Sequence, residues 1–264
     1  MKALLTLLQG RCPAPERWAI LALCCLGLQL QAQDGPLGVT YDLYLNQTPP
    51  MHSVAELRYA NGVSDFHWND GRGESEMRPG DFGAVEISLR DADPIGTVNR
   101  ADFSADSLYT RGSLFNEPYL LREALPRLGW KLEGDTKMLG GLTVYRATAT
   151  FRGRLYTAWY YPDIPLPIGP WKLQGLPGII LEAYDAEAFF HAVFQAVGPA
   201  SEVPAAGTAA FGPARGIDLD GFRELQAEMT AELIRRIRSK LPRGAQLTVD
   251  ETYADFLERS FEQP

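Results

Sequence analysis

Residues Ala158–Glu182 read AWYYPDIPLPIGPWKLQGLPGIILE. Five prolines (Pro162, Pro165, Pro167, Pro170, Pro177) and three glycines (Gly169, Gly175, Gly178) stand here between two apolar runs. Proline removes a backbone donor and fixes φ, so the stretch is neither helix nor central strand. It reads as a rigid, shaped loop around which the neighbouring strands are organised. Gly178 is expected to resist a β-branched substitution if the chain needs a positive φ there.

Both flanks carry strand patterns. Upstream, Leu142–Phe151 alternates Tyr145, Ala147, Ala149 and Phe151 against Arg146, Thr148 and Thr150, the period of a half-exposed strand. Arg152-Gly153-Arg154 turns the chain into Leu155–Tyr161, whose large side chains on both faces predict a covered central strand. Downstream, Gly178–Tyr184 and Phe189–Val197 predict a hairpin across Asp185–Ala188. Nearer the N-terminus, Gly38–Leu45 is a strand that ends at a Pro-rich turn holding His52, and Asn61-Gly62 is a two-residue hairpin signal between Val54–Ala60 and Val63–Trp68. Asn69–Gly83 reads as a polar loop. Phe82–Leu89, Ile95–Arg100, Ser107–Tyr109 and Ser113–Phe115 read as further short strands, and another begins at Trp130–Leu132.

The period changes after residue 217. Phe222, Leu225, Met229, Leu233, Ile237 and Leu241 form a stripe at helical spacing, with Asp218 or Asp220 as cap and basic residues at the far end. Thr252–Phe261 reads as a short second helix. The fold class expected is mainly β: an antiparallel open sheet or half-barrel with a C-terminal amphipathic helix, a β-rich α+β arrangement. The domain reading is a signal peptide over 1–32, a β-rich domain over 33–198, a linker over 199–217 and a helical segment over 218–264 that packs on the sheet.

The signal peptide rests on Lys2, Arg11 and Arg17 ahead of the apolar run Trp18–Leu30 and the small residue Ala32. That run is shorter than the ~20 residues a membrane-spanning helix needs, so no transmembrane segment is expected in the mature chain. The place expected is outside the cytoplasm, periplasmic or associated with an outer membrane. Cys12, Cys24 and Cys25 are the only cysteines and lie in this leader, so the mature chain is expected to fold without a disulfide. Taking Lys2, Arg11, Arg17 and Glu16 from 25 basic and 33 acidic residues leaves 22 against 32. That balance argues against nucleic acid as a partner, which requires clustered Lys and Arg.

Gly175-Leu176-Pro177-Gly178-Ile179-Ile180 closely resembles the six-residue signature of the GLPGLI family of exported proteins, found mostly in Bacteroidota, with Ile179 in place of the second leucine. The resemblance continues at Thr150–Arg154, Thr157–Tyr160, Pro162–Pro165, Gly169–Trp171 and Leu181-Glu182, and covers roughly 39–198. It implies an exported, β-rich envelope protein. It carries over no catalytic residues.

The chemistry-bearing residues are few. His52, His67 and His191 lie in no metal-ligand spacing, and neither a Gly-x-Ser-x-Gly elbow nor a mature cysteine supplies a nucleophile. No metal and no cofactor are expected. The leading expectation is a non-enzymatic protein that binds an apolar small molecule or an envelope protein through the loop region. Candidate binding residues are Trp159, Tyr160, Asp163 and Trp171, the signature residues Gly175, Leu176, Pro177 and Gly178, and Glu182. One alternative is a cofactor-independent hydrolase using Asp163 and Glu182 as an acid/base pair. Another is a structural subunit of an envelope complex.

Overall fold

The structure is a computed structural model that describes residues 35–47, 50–69, 76–79, 85–88, 93–114, 117–200, 211–240 and 257–258. It is mainly β. The strands are β1 (Leu37–Leu45), β2 (Met51–Ala60), β3 (Val63–Trp68), β4 (Glu76–Pro79), β5 (Val85–Ser88), β6 (Thr97–Asp102) and β7 (Ser107–Leu114). They continue with β8 (Glu117–Ala124), β9 (Lys131–Leu139), β10 (Leu142–Phe151), β11 (Arg154–Tyr161), β12 (Ile179–Asp185), β13 (Phe190–Pro199) and β14 (Arg215–Ile217), and one helix follows, α1 (Leu219–Lys240).

Twelve strands form one open sheet in the order β14-β8-β7-β6-β3-β2-β1-β13-β12-β11-β10-β9, while β4 and β5 pair with each other. Three of its hairpins turn on residues with positive φ at both central positions: Asn61-Gly62, Gly140-Gly141 and Arg152-Gly153. That is the geometry whose twist matches paired strands. The pairing is antiparallel except at the edge, where β14 runs parallel to β8.

The order forces the sheet to curl. β8 and β9 are second and last in it, about 48 Å apart if the sheet were flat at ~4.8 Å per strand. Only Leu125–Trp130 joins them, a connection that spans at most about 24 Å. The chain therefore brings its two halves toward each other around a shared interior. Contacts across the opening agree: Arg152, at the β10–β11 turn, is ion-paired with Glu123 on β8.

The interior is filled by the Pro/Gly loop. Ile168, Trp171, Leu173 and Leu176 are buried in one core with Tyr41, Leu43, Leu57 and Phe66 from β1 to β3 and Val144, Tyr156, Ile180 and Phe190 from the other half. Pro165, Pro167, Gly175 and Pro177 stay exposed. The loop satisfies much of its own backbone, with Gly175 N donating to Pro167 O at 3.0 Å and Leu173 N to Pro170 O at 3.1 Å. Ile179 N and Ile180 N tie it to β12 through the carbonyls of Ile164 and Ile168.

Several expectations change in detail. His52 lies on β2 opposite Tyr44, because pairing continues to Leu45–Met51 and a proline just outside a strand does not interrupt it. Glu76–Pro79, read as loop, is a strand. Ser107–Leu114 is one strand, and Glu117–Ala124 is a strand the alternation did not reveal, since Tyr119 and Leu121 are its only buried positions. Gly178 does not have a positive φ; Gly175 has, at 91°. Gly178 is needed because a Cβ there would overlap the Tyr161 carbonyl oxygen and lie 2.7 Å from Pro162 Cα. The segment read as linker contains β14. The helix begins as read, capped by Asp218 Oδ1 accepting from Gly221 N at 2.8 Å. Its Phe222 and Leu225 pack on Tyr119 and Leu121 of β8. The short second helix lies outside the described residues, apart from Leu257 and Glu258.

Candidate functional site

The residues singled out in the sequence divide into three surroundings. Trp171 and Leu176 are buried in the core, and Trp171 holds φ 55°, unusual for so bulky a residue. Its ring meets Phe151, Tyr156 and Phe190 at centroid distances of 5.6 to 6.0 Å. Gly175 and Pro177 are exposed and Gly178 is packed against the end of β11.

Trp159 and Glu182 are register partners on β11 and β12. Lys137 lies 4.4 Å over the Trp159 ring and donates to Glu182, and His191 Nε2 stands 3.3 Å from the other Glu182 oxygen. Burial acts to raise the Glu182 carboxyl, but the hydrogen bonds and charges of His191 and Lys137 outweigh it and hold its pKa below the ordinary 4.5. Tyr160 is buried and faces Tyr145. Asp163 is exposed beyond the strand end and accepts from the Tyr161 hydroxyl at 2.9 Å, which raises the Tyr161 pKa. The two carboxylates proposed as an acid/base pair are thus engaged separately.

Among the described residues of the loop, Trp171 lines a cleft. This cleft, about 220 Å³ in volume, lies between the core face of β2, β3, β6, β7 and β8 on one side and Trp171, Phe189, α1 and Leu257-Glu258 on the other. Met51, Trp68, Tyr119, Trp171, Phe189 and Phe222 supply its apolar wall. Strand pairing assembles the polar wall: Trp68 opposite Thr97, Phe66 opposite Asn99, and Asn99 opposite Thr110. Thr110 Oγ1 donates to Asn99 Oδ1 at 3.0 Å. In that orientation Asn99 Nδ2 has no partner among the described residues, nor has Ser113 Oγ. Asn99 is 2 % exposed, so its free donor is a buried one.

A closed ring of charges supports the cleft from behind. Lys172 Nζ donates to Glu123 and to Glu258, each at 2.6 Å, and Arg152 pairs with the same two carboxylates. All four side chains are buried. The loop, β8, the β10–β11 turn and the C-terminal segment are locked together there. At the opposite rim Asp93 is held by Arg111. Among the described residues no group of three or more His, Cys, Asp and Glu side chains is placed to hold a metal ion, and no helix is long and apolar enough to cross a membrane.

Of the candidate binding residues read from the sequence, Trp171 lines this cleft; Asn99, Ser113, Tyr119 and Phe222, which line it too, were not among them. A polar residue inside a short strand carries no signal of its own until the register is known.

The fold and cleft define a curled, plugged antiparallel sheet that carries a cleft with mixed apolar and polar walls among its described residues. Residues 152–182 match the model of a family described as "Protein of unknown function (Porph_ging)". No curated protein matches the chain. Two solved structures are similar in fold. One, described as PNGF-II in the C2 space group, has a TM-score of 0.50 at 13% identity over 75% of this chain and 33% of that chain. The other, PNGF-II in the P21 space group, has a TM-score of 0.48 at 11% identity over 72% and 32%. The chain thus spans about a third of the length of the solved chains it matches.

Proposed function

We propose that this is an exported envelope protein that binds a small molecule without transforming it, with the cleft beneath Trp171 as its site. The observation that carries this reading is a cleft whose wall combines Trp68, Trp171 and Phe189 with the polar strand residues Thr97, Asn99, Thr110 and Ser113. Pockets that combine apolar walls with a few convergent polar groups are the usual form of small-molecule sites.

Export is supported by the leader at residues 1–32, and the envelope reading by the GLPGLI-like signature at Gly175–Ile180. In this reading the signature residues build the wall instead of touching the ligand: Gly178 and Leu176 fix the loop that presents Trp171. The candidates Trp159, Tyr160 and Glu182 lie on the paired strands β11 and β12, and Asp163 just beyond β11, away from the cleft lining.

Native mass spectrometry of the mature protein purified from a bacterial periplasm tests the proposal. A non-covalent mass that is lost on denaturation is expected, with a chain start after Ala32. A bare polypeptide mass, even from material never denatured, would contradict ligand binding.

A further inference from the structure

The buried ring of charges has one member from outside the sheet and its plug. Glu123 stands on β8, Arg152 at the β10–β11 turn and Lys172 in the loop, whereas Glu258 lies well beyond the end of α1 at Lys240. The Lys172 side chain is 0 % exposed and that of Arg152 4 %. Without Glu258 these two cations face the single carboxylate of Glu123, which leaves one buried positive charge uncompensated. Such a charge is strongly unfavourable, so Glu258 leaves only in exchange for another anion. The folded body thus presents a receptor for one carboxylate, and the chain fills it with its own.

The fit of that occupant is incomplete. Glu258 Oε1 accepts from Lys172 Nζ at 2.6 Å, but Oε2 stands 3.1 Å from Arg152 Nε and, though buried, accepts no hydrogen bond among the described residues. A carboxylate on an untethered ligand is free to turn and bond both cations, and one more charge-assisted hydrogen bond is worth about tenfold in affinity. Leu257 and Glu258 also form part of the cleft wall, and Leu257 packs against the core. Lifting the pair away joins the cleft to Lys172 and Arg152. The group that takes their place therefore carries a carboxylate beside an apolar side chain.

We propose that Arg152 and Lys172 form a carboxylate-binding site that Glu258 occupies in cis, and that an acidic peptide with an apolar residue next to its carboxylate displaces the C-terminal segment and takes its place. This goes beyond the small-molecule reading and stands whether or not the cleft holds a ligand of its own.

The test is hydrogen exchange on the whole mature chain at neutral pH, read in the proteolytic fragment that contains Leu257 and Glu258. The probes are acetyl-Leu-Glu-amide and its uncharged counterpart acetyl-Leu-Gln-amide. A tethered segment has an effective concentration of about a millimolar, so the acid peptide is titrated to about 10 mM. It is expected to speed exchange of that fragment saturably, about threefold or more, while the uncharged peptide leaves it unchanged. The full-length Glu258→Ala variant gives a second readout: acetate should raise its thermal midpoint by about 2 °C or more over acetamide at equal ionic strength, through binding to the folded state. Should that variant fail to fold, the peptide comparison decides alone. Equal effects of both peptides, no effect of either, or a folded Glu258→Ala that acetate does not rescue would overturn the inference. Rescue of the variant with no response of the wild type would overturn it too, because the ring is then a fixed anchor and not an exchangeable site.

Discussion

The hydroxyl of Tyr41 on β1 donates to the carbonyl oxygen of Ile180 on β12 at 2.6 Å, reaching past the intervening strand β13. Burial pushes the Tyr41 pKa well up, so the group stays a donor throughout the physiological range. Ile180 N is simultaneously held by the loop carbonyl of Ile168. One buried residue thus links the first strand, the strand after the loop and the loop itself.

Tyr41→Phe removes that donor and leaves a buried carbonyl short of its partner. A loss of about 1–2 kcal/mol is expected in denaturant unfolding, with little change in slope.

The glycines of the signature separate by mechanism. Gly175→Ala meets open space and suffers only from its φ of 91°, a cost of about 1 kcal/mol. Gly178→Ala drives a Cβ into β11 backbone and should cost more, about 2–3 kcal/mol, as a larger drop in thermal midpoint. An equal effect at both positions would remove close approach as the reason for Gly178.

Lys172→Met breaks the buried ring and leaves Glu123 and Glu258 to share Arg152. A destabilisation of about 3 kcal/mol or more is expected. Because the ring anchors Glu258, limited proteolysis should also cut the C-terminal segment of this variant faster.

Glu182 gives a pH-dependent term. Its folded pKa lies below the ordinary 4.5, so its contribution to stability is present above that value and is lost as pH falls through the depressed one. Glu182→Gln should lower the thermal midpoint near neutral pH and converge with the wild type in acid. Neither this substitution nor Asp163→Asn should alter occupancy of the cleft, since neither residue lines it.

Much of the architecture was legible because local signals and tertiary pairing agree. Asn61-Gly62 and Gly140-Gly141 supply the positive φ their turns need, and Ala147, Ala149 and Phe151 alternate as read. Tyr145, read on the same covered face, is exposed and Val144 is buried, because the pairing with β9 shifts register between Tyr145 and Ala147. Legibility failed where burial is sparse or local cues conflict. Glu117–Ala124 contains Pro118 and charged ends, and its place is set by pairing with β7 and by Phe222. Aromatics near the loop pointed to Trp171, but its companions Asn99, Ser113 and Phe222 come from distant segments. The return of Leu125–Trp130 to the far edge of the sheet, which no local pattern encodes, brings those segments around Trp171.

The most direct measurement is a crystal structure of the protein purified from its native compartment without denaturation. Density for a small molecule seated in this cleft against Trp68 and Trp171 is the expected result. A cleft holding only solvent, or a ligand seated elsewhere on the sheet, would contradict the assignment of this cleft as the site.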